Sequence, residues 1–287
     1  MLKFSDKNGF KAILIGMNQK TQMFQQLAAY FSGTPSESSV KPRRYGWRPD
    51  LPDHRDKYHS FEDPDVPATA DLRDTMPTVY DQGELGSCTA NAIAGAIQFD
   101  ELKQGLASET PSRLFIYYNE RKLEGTTGSD SGAAIRDGIK TIAKQGYCNE
   151  TSWPYNIEKF SQKPPSECYT AAKQHVAVEY TRVDQKLTDL QAVLASGYPI
   201  VFGISVYSSF EGDTVKDTGL VPMPDKKEDL LGGHAILLVG YDNDKKLFTF
   251  RNSWGTTWGK EGYGFLPYDY VLDSNLAEDF WTVKRIS

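Results

Sequence analysis

Tyr80-Asp-Gln82-Gly-Glu-Leu85-Gly-Ser-Cys88-Thr-Ala-Asn-Ala-Ile93-Ala-Gly-Ala96-Ile97-Gln-Phe99 is a polar, glycine-punctuated loop running into a helix, with Ile93, Ala96 and Ile97 at helical spacing. The change from loop to helix falls at Cys88. A thiol there meets unsatisfied backbone N–H groups and the positive end of the helix dipole, both of which favour negative charge. The thiolate, not the thiol, is the nucleophile. Gln82, six residues upstream, offers a side-chain amide to an oxyanion forming beside the Cys88 N–H. A lone helical cysteine is as often inert core, so the catalytic reading needs a base.

Four histidines are available. His54 and His59 lie in a charged, proline-containing segment, and His175 ends a polar helical stretch, so each reads as solvated. His234 follows Gly232-Gly233 and precedes Ala235-Ile236-Leu237-Leu238-Val239, which places it at the first residue of a buried strand. The turn cluster Tyr241 to Lys246 reverses the chain into Leu247-Phe248-Thr249-Phe250, and this hairpin brings Asn252 toward His234. The acidic residues of that turn read as an Asx turn rather than a calcium loop, because no distal Glu stands at the required spacing. An amide accepting from an imidazole fixes its tautomer, and Trp254 can cover that bond and keep water away.

The order Gln82, Cys88, His234, Asn252 and Trp254 resembles the papain-like cysteine peptidases. His234 follows Cys88 by 146 residues and Asn252 follows it by 164, against about 130–150 for that family. The blocks Asp81-Gln82-Gly83, Gly86-Ser87-Cys88, Asn252 to Gly259 and Glu261 to Gly264 carry the match, which covers about residues 66–283. Tyr45-Gly46-Trp47-Arg48-Pro49-Asp50-Leu51-Pro52-Asp53 ahead of it resembles the bacterial branch. Two positions depart from the family pattern: Leu85 stands where a disulfide cysteine is usual, and Thr89 where an aromatic is usual.

The resemblance implies an α+β, two-lobe papain-like fold, with a helical lobe over about 66–175 and a β-barrel-like lobe over about 176–287. It implies a Cys88–His234–Asn252 triad, Gln82 in the oxyanion hole, an imidazolium–thiolate pair and an acyl-enzyme. Gly132-Ala133 stands where the family pairs substrate backbone, in short antiparallel hydrogen bonds. Ala134, Ile135, Gly203 and Ala235 would line the S2 pocket, with Gly233 and Trp254 beside the histidine. These small residues predict room for a bulky apolar P2 side chain. No metal or organic cofactor is required. The rival readings are a non-catalytic peptide-binding scaffold and a Cys–His amidase or acyltransferase.

A net charge of −6 argues against a nucleic-acid footprint. No apolar run reaches the ~18 residues that span a membrane, and Ala12 to Met17 is too short for a secretory h-region. A peptide or protein substrate is the expected partner, with the enzyme a monomer. Cys148 and Cys168 would close a ~20-residue loop worth on the order of 3 kcal/mol if oxidised; a bridge is expected, with two buried thiols as the alternative. Residues 1–65 precede the catalytic domain. They carry a helical pattern from about Gln19 to Phe31 and a linker from Gly33 to Ser39. Residues 1 to about 40 are expected to cover the cleft as a pro-like segment, a brace behind the domain being the alternative.

Overall fold

The computed structural model describes residues 45–59, 65–106, 108–176 and 178–285. The expected helix at 19–31 and the cover assigned to residues 1–40 lie outside these. In chain order the strands are β1 (Tyr58–His59), β2 (Thr69–Asp71), β3 (Val178–Val183), β4 (Ile200–Tyr207), β5 (Leu230–Asp242), β6 (Leu247–Arg251), β7 (Tyr263–Pro267) and β8 (Ala277–Arg285). The α-helices are α1 (Cys88–Lys103), α2 (Arg113–Leu123), α3 (Ile135–Gln145), α4 (Ser166–Ala172), α5 (Leu187–Ala195), α6 (Asp213–Thr218) and α7 (Tyr268–Leu272).

Helix α1 is buried on all sides as far as Glu101, which its run of alanines permits. It packs on β5 and β8 on one side and on α2 and α3 on the other. A β-carbon on Gly95 would come within 2.8 Å of the Arg251 guanidinium, so the glycine lets α1 sit close to the sheet. One core gathers α1, α2 and α3 with the inner face of β5. The other fills the β lobe with Phe202, Phe248, Phe250 and Trp258.

The sheet runs β1-β3-β8-β4-β5-β6-β7, with β2 added to β5. It stays open, ending at β1 and β7, rather than closing into a barrel. Its strands are antiparallel except for β1, which pairs parallel with β3. The fold is mixed α+β, as the papain-like pattern implies. Strand β5 begins at Leu230, four residues earlier than expected, because Gly232 and Gly233 extend the backbone and pair with Val206 and Ser205. His234 therefore sits inside a strand rather than at its start.

Cys148 and Cys168 are free thiols, correcting the expected bridge. They are buried together with Phe115 and Ala172 and hydrogen-bond to one another, and desolvation pushes the Cys148 thiol well above its ordinary range.

Candidate active site

Cys88 is the first residue of α1, after the loop Tyr80–Ser87. Asn91 holds that start by donating from its amide to the Ser87 carbonyl at 2.9 Å and hydroxyl at 3.0 Å. Where the family disulfide is missing, the Asp130 carboxylate accepts the Gly86 N–H at 3.1 Å and the Tyr117 hydroxyl, tying the loop to α2. Thr89, in the aromatic's place, is wholly buried and donates to Glu120 at 2.6 Å. Burial pushes the Glu120 carboxyl up to about 8.

Gln82 is fully buried. Its Nε2 donates to the Leu85 carbonyl at 2.8 Å, and its Oε1 accepts the Ser253 hydroxyl at 2.6 Å. Ser253 was not anticipated; as Asn252's neighbour it ties the loop before Cys88 to the end of β6. Asn252 Oδ1 lies 2.9 Å from His234 Nε2 and accepts the Ser253 N–H at 2.8 Å. The Trp254 indole stacks on the imidazole at 4.9 Å and 28°, while Tyr45 and Phe210 present edges to it at 6.1 and 6.5 Å. Ala235, directly after His234, aims its N–H at the Cys88 sulfur, as do Thr89 and Gly46. Gln82 and Cys88, His234, and Asn252 and Trp254 thus come together from three stretches of the chain.

The Gly46 contact reveals what occupies the groove. Tyr45–Arg48 runs extended through it, an arrangement that Pro49 favours by keeping Arg48 out of the helical region. The Ala133 N–H donates to the Gly46 carbonyl at 2.7 Å, the Arg48 N–H to the Ala133 carbonyl at 3.1 Å, and the Trp47 N–H to the Gly233 carbonyl at 2.9 Å. Trp47 and Ala133 pair in parallel, opposite to the antiparallel pairing expected of a substrate. The Trp47 ring fills space that only glycine leaves, since a β-carbon on Gly203 would stand 1.9 Å from it. Gly132, at φ +66°, similarly leaves room for the Gly46 carbonyl. Ile135 and Ala235 are buried in the same cluster as Trp47, and Ala134 begins the α3 wall. Of the expected groove residues, Gly132, Ala133, Gly203, Gly233 and Trp254 lie against this segment. The sequence signal was the Gly-Trp-Arg-Pro run, which carried the family resemblance without revealing its location.

The segment is anchored beyond the groove. Asp50 accepts the Arg136 N–H at 3.1 Å and the Trp281 indole N–H at 2.9 Å, and its own N–H donates to Asp279 at 2.7 Å. Burial and then the Asp279 charge push the Asp50 carboxyl up to about 6. Burial also pushes the Cys88 thiol up to about 11, against the backbone N–H groups that favour its thiolate.

Residues 66–278 match the model of the papain family cysteine proteases. This chain belongs to that family. It is similar to xylellain, a cysteine protease from Xylella fastidiosa, at 44% identity, with 86% of this chain and 99% of that one covered and a TM-score of 0.80. An uncharacterized peptidase C1-like protein of Acanthamoeba polyphaga mimivirus is 42% identical over 88% of this chain and 90% of its own length. Procathepsin L of Felis catus is 29% identical over 73% of this chain and 64% of its own length. The family makes the chain a cysteine peptidase, a hydrolase acting on peptide bonds.

Proposed function

We propose that Cys88, His234, Asn252 and Gln82 carry the hydrolysis, and that Tyr45–Arg48 holds the enzyme in check as a pro-like segment. The observation that most supports the first part is the 2.9 Å His234–Asn252 bond under the Trp254 ring, in a strand whose next N–H reaches the Cys88 sulfur.

In this reading His234 takes the Cys88 proton once water replaces the segment and relieves the burial that pushes the thiol up. The thiolate adds to the peptide carbonyl. The oxyanion is held by the Cys88 N–H and by the Gln82 side-chain amide. His234 returns the proton to the leaving amine, an acyl-enzyme remains, and water attacks it with His234 again as base. Asn252 keeps the imidazole oriented throughout.

The parallel run of Tyr45–Arg48 supports the restraint. It fills the groove in the direction opposite to a substrate, and it presents an N–H to the sulfur where a substrate would present a carbonyl. Burying Trp47 favours this docked state by about 3–5 kcal/mol.

Turnover of a fluorogenic peptide amide with an apolar P2 residue tests both parts, comparing the full chain with Cys88→Ala and Trp47→Ala. Activity lost in Cys88→Ala and raised in Trp47→Ala is expected. Residual turnover in Cys88→Ala removes the first part, and no gain in a folded Trp47→Ala removes the second.

A further inference from the structure

The docked segment marks three successive positions along the groove. Gly46 lies at the Cys88 sulfur, Trp47 one step on in the glycine-lined pocket, and Arg48 two steps on, where its guanidinium pairs with the Glu124 carboxylate. Glu124 caps the end of α2 and its side chain is 10% exposed. One of its oxygens accepts the Ala134 N–H at 2.9 Å. That bond joins two elements of the helical lobe, so the carboxylate is held in place independently of the segment.

Two further carboxyl side chains lie nearby. Glu120, one turn earlier on α2, and Asp137, in the first turn of α3, are close enough to influence one another, and Arg48 acts on Glu120 as well. The nearby cations are engaged elsewhere. Arg121 donates to the carbonyls of Tyr117, Thr127, Ser129 and Phe160. Arg136 turns to Asp56 and the Leu51 carbonyl, and Lys140 to Asp53. When Tyr45–Arg48 leaves the groove with residues 50–56 still anchored, Arg136 and Lys140 keep these partners, and Glu124 loses its guanidinium while keeping its position.

We propose that Glu124 is a specificity-determining residue that selects substrates with Arg or Lys at P3. A peptide whose scissile carbonyl sits at Cys88 places P1 where Gly46 lies, P2 in the Trp47 pocket and P3 at Glu124. This assignment depends only on the extended rise of about 3.3 Å per residue, not on which way the backbone runs. It rests on the peptidase reading above and adds a substrate class to it: extended chains with a bulky apolar residue preceded by a basic one.

The test uses the full chain and three fluorogenic amides, X-Leu-Ala, in which X is Arg, Gln or Glu. Partly exposed pairs are weak, so kcat/KM for Arg should exceed that for Gln by about 3- to 5-fold, with Glu lowest. The preference should appear mainly in KM and shrink between about 50 and about 500 mM salt. Glu124→Gln keeps an acceptor for the Ala134 N–H and should flatten the series. Because that change also frees Arg48, the ratio between substrates is read rather than the absolute rate. Glu124→Lys should reverse the order. A flat series in the wild type, or the same order in Glu124→Gln and Glu124→Lys, overturns the proposal while leaving the peptidase standing. No cleavage of any substrate, with Cys88 still alkylated, overturns the peptidase reading and this proposal with it.

Discussion

A β-carbon on Gly46 would stand 1.8 Å from the carbonyl oxygen of Gly86, two residues before the nucleophile candidate Cys88. Only glycine allows the segment to lie this close to the loop, because the obstacle is backbone and cannot rotate away. Gly46→Val should therefore expel the segment and leave the fold intact. Overpacking of this kind costs about 1–3 kcal/mol, so a severalfold to hundredfold rise in both peptide turnover and Cys88 alkylation is expected. An unchanged rate in a folded variant would sink the restraint.

Gln82 serves the neighbouring loop as well as the proposed oxyanion. Gln82→Ala should lower kcat by about 10²- to 10³-fold with a smaller effect on KM. Asn252→Ala should lower kcat while Cys88 remains alkylatable. Steady-state kinetics beside thermal melts separate these losses from unfolding, and wild-type kcat in a Gln82→Ala enzyme would remove the amide from the mechanism.

Glu120 titrates at about 8 in the fold instead of 4.5, because burial disfavours its charge. A raised carboxyl contributes stability fully below its unfolded pKa and loses it as pH rises through the folded one. Melting of the wild type relative to Glu120→Gln should therefore be most favourable near about pH 5 and worsen steadily toward about pH 8.5. A difference that does not change with pH would show that Glu120 is already ionised at the lower end.

Cys148 and Cys168 are thiols, and Cys88 lies beneath the segment. Unfolded in denaturant without reductant, the chain should release three thiols to a chromogenic disulfide reagent. A single thiol would indicate the bridge. In the native chain all three should react slowly, and Gly46→Val should speed Cys88 alone.

Helix α1, the β5–β6 hairpin and the residues that converge on the site were legible because each rests on local chemistry: a thiol after a glycine loop, a histidine after Gly-Gly, an asparagine after a return strand. Three features were not. The start of β5 lies before His234 because Val206 and Ser205 pair with the glycines, a partnership that no local pattern reports. The open sheet is set by which strands meet, and the parallel β1–β3 pair joins residues more than a hundred positions apart. Arg48 and Glu124 stand 76 positions apart and carry no local pattern, so their pairing becomes visible only once the segment is seen in the groove.

The glycines at 132, 203 and 233 have a consequence for targets larger than peptides. Each leaves room for the backbone or ring of the segment within 2.4 Å of its missing β-carbon. A groove this close-fitting should pass a single extended strand and reject a hairpin or helix. A folded target must first unravel several residues to enter, so its cleavage rate should follow the free energy of its own local opening more closely than its sequence.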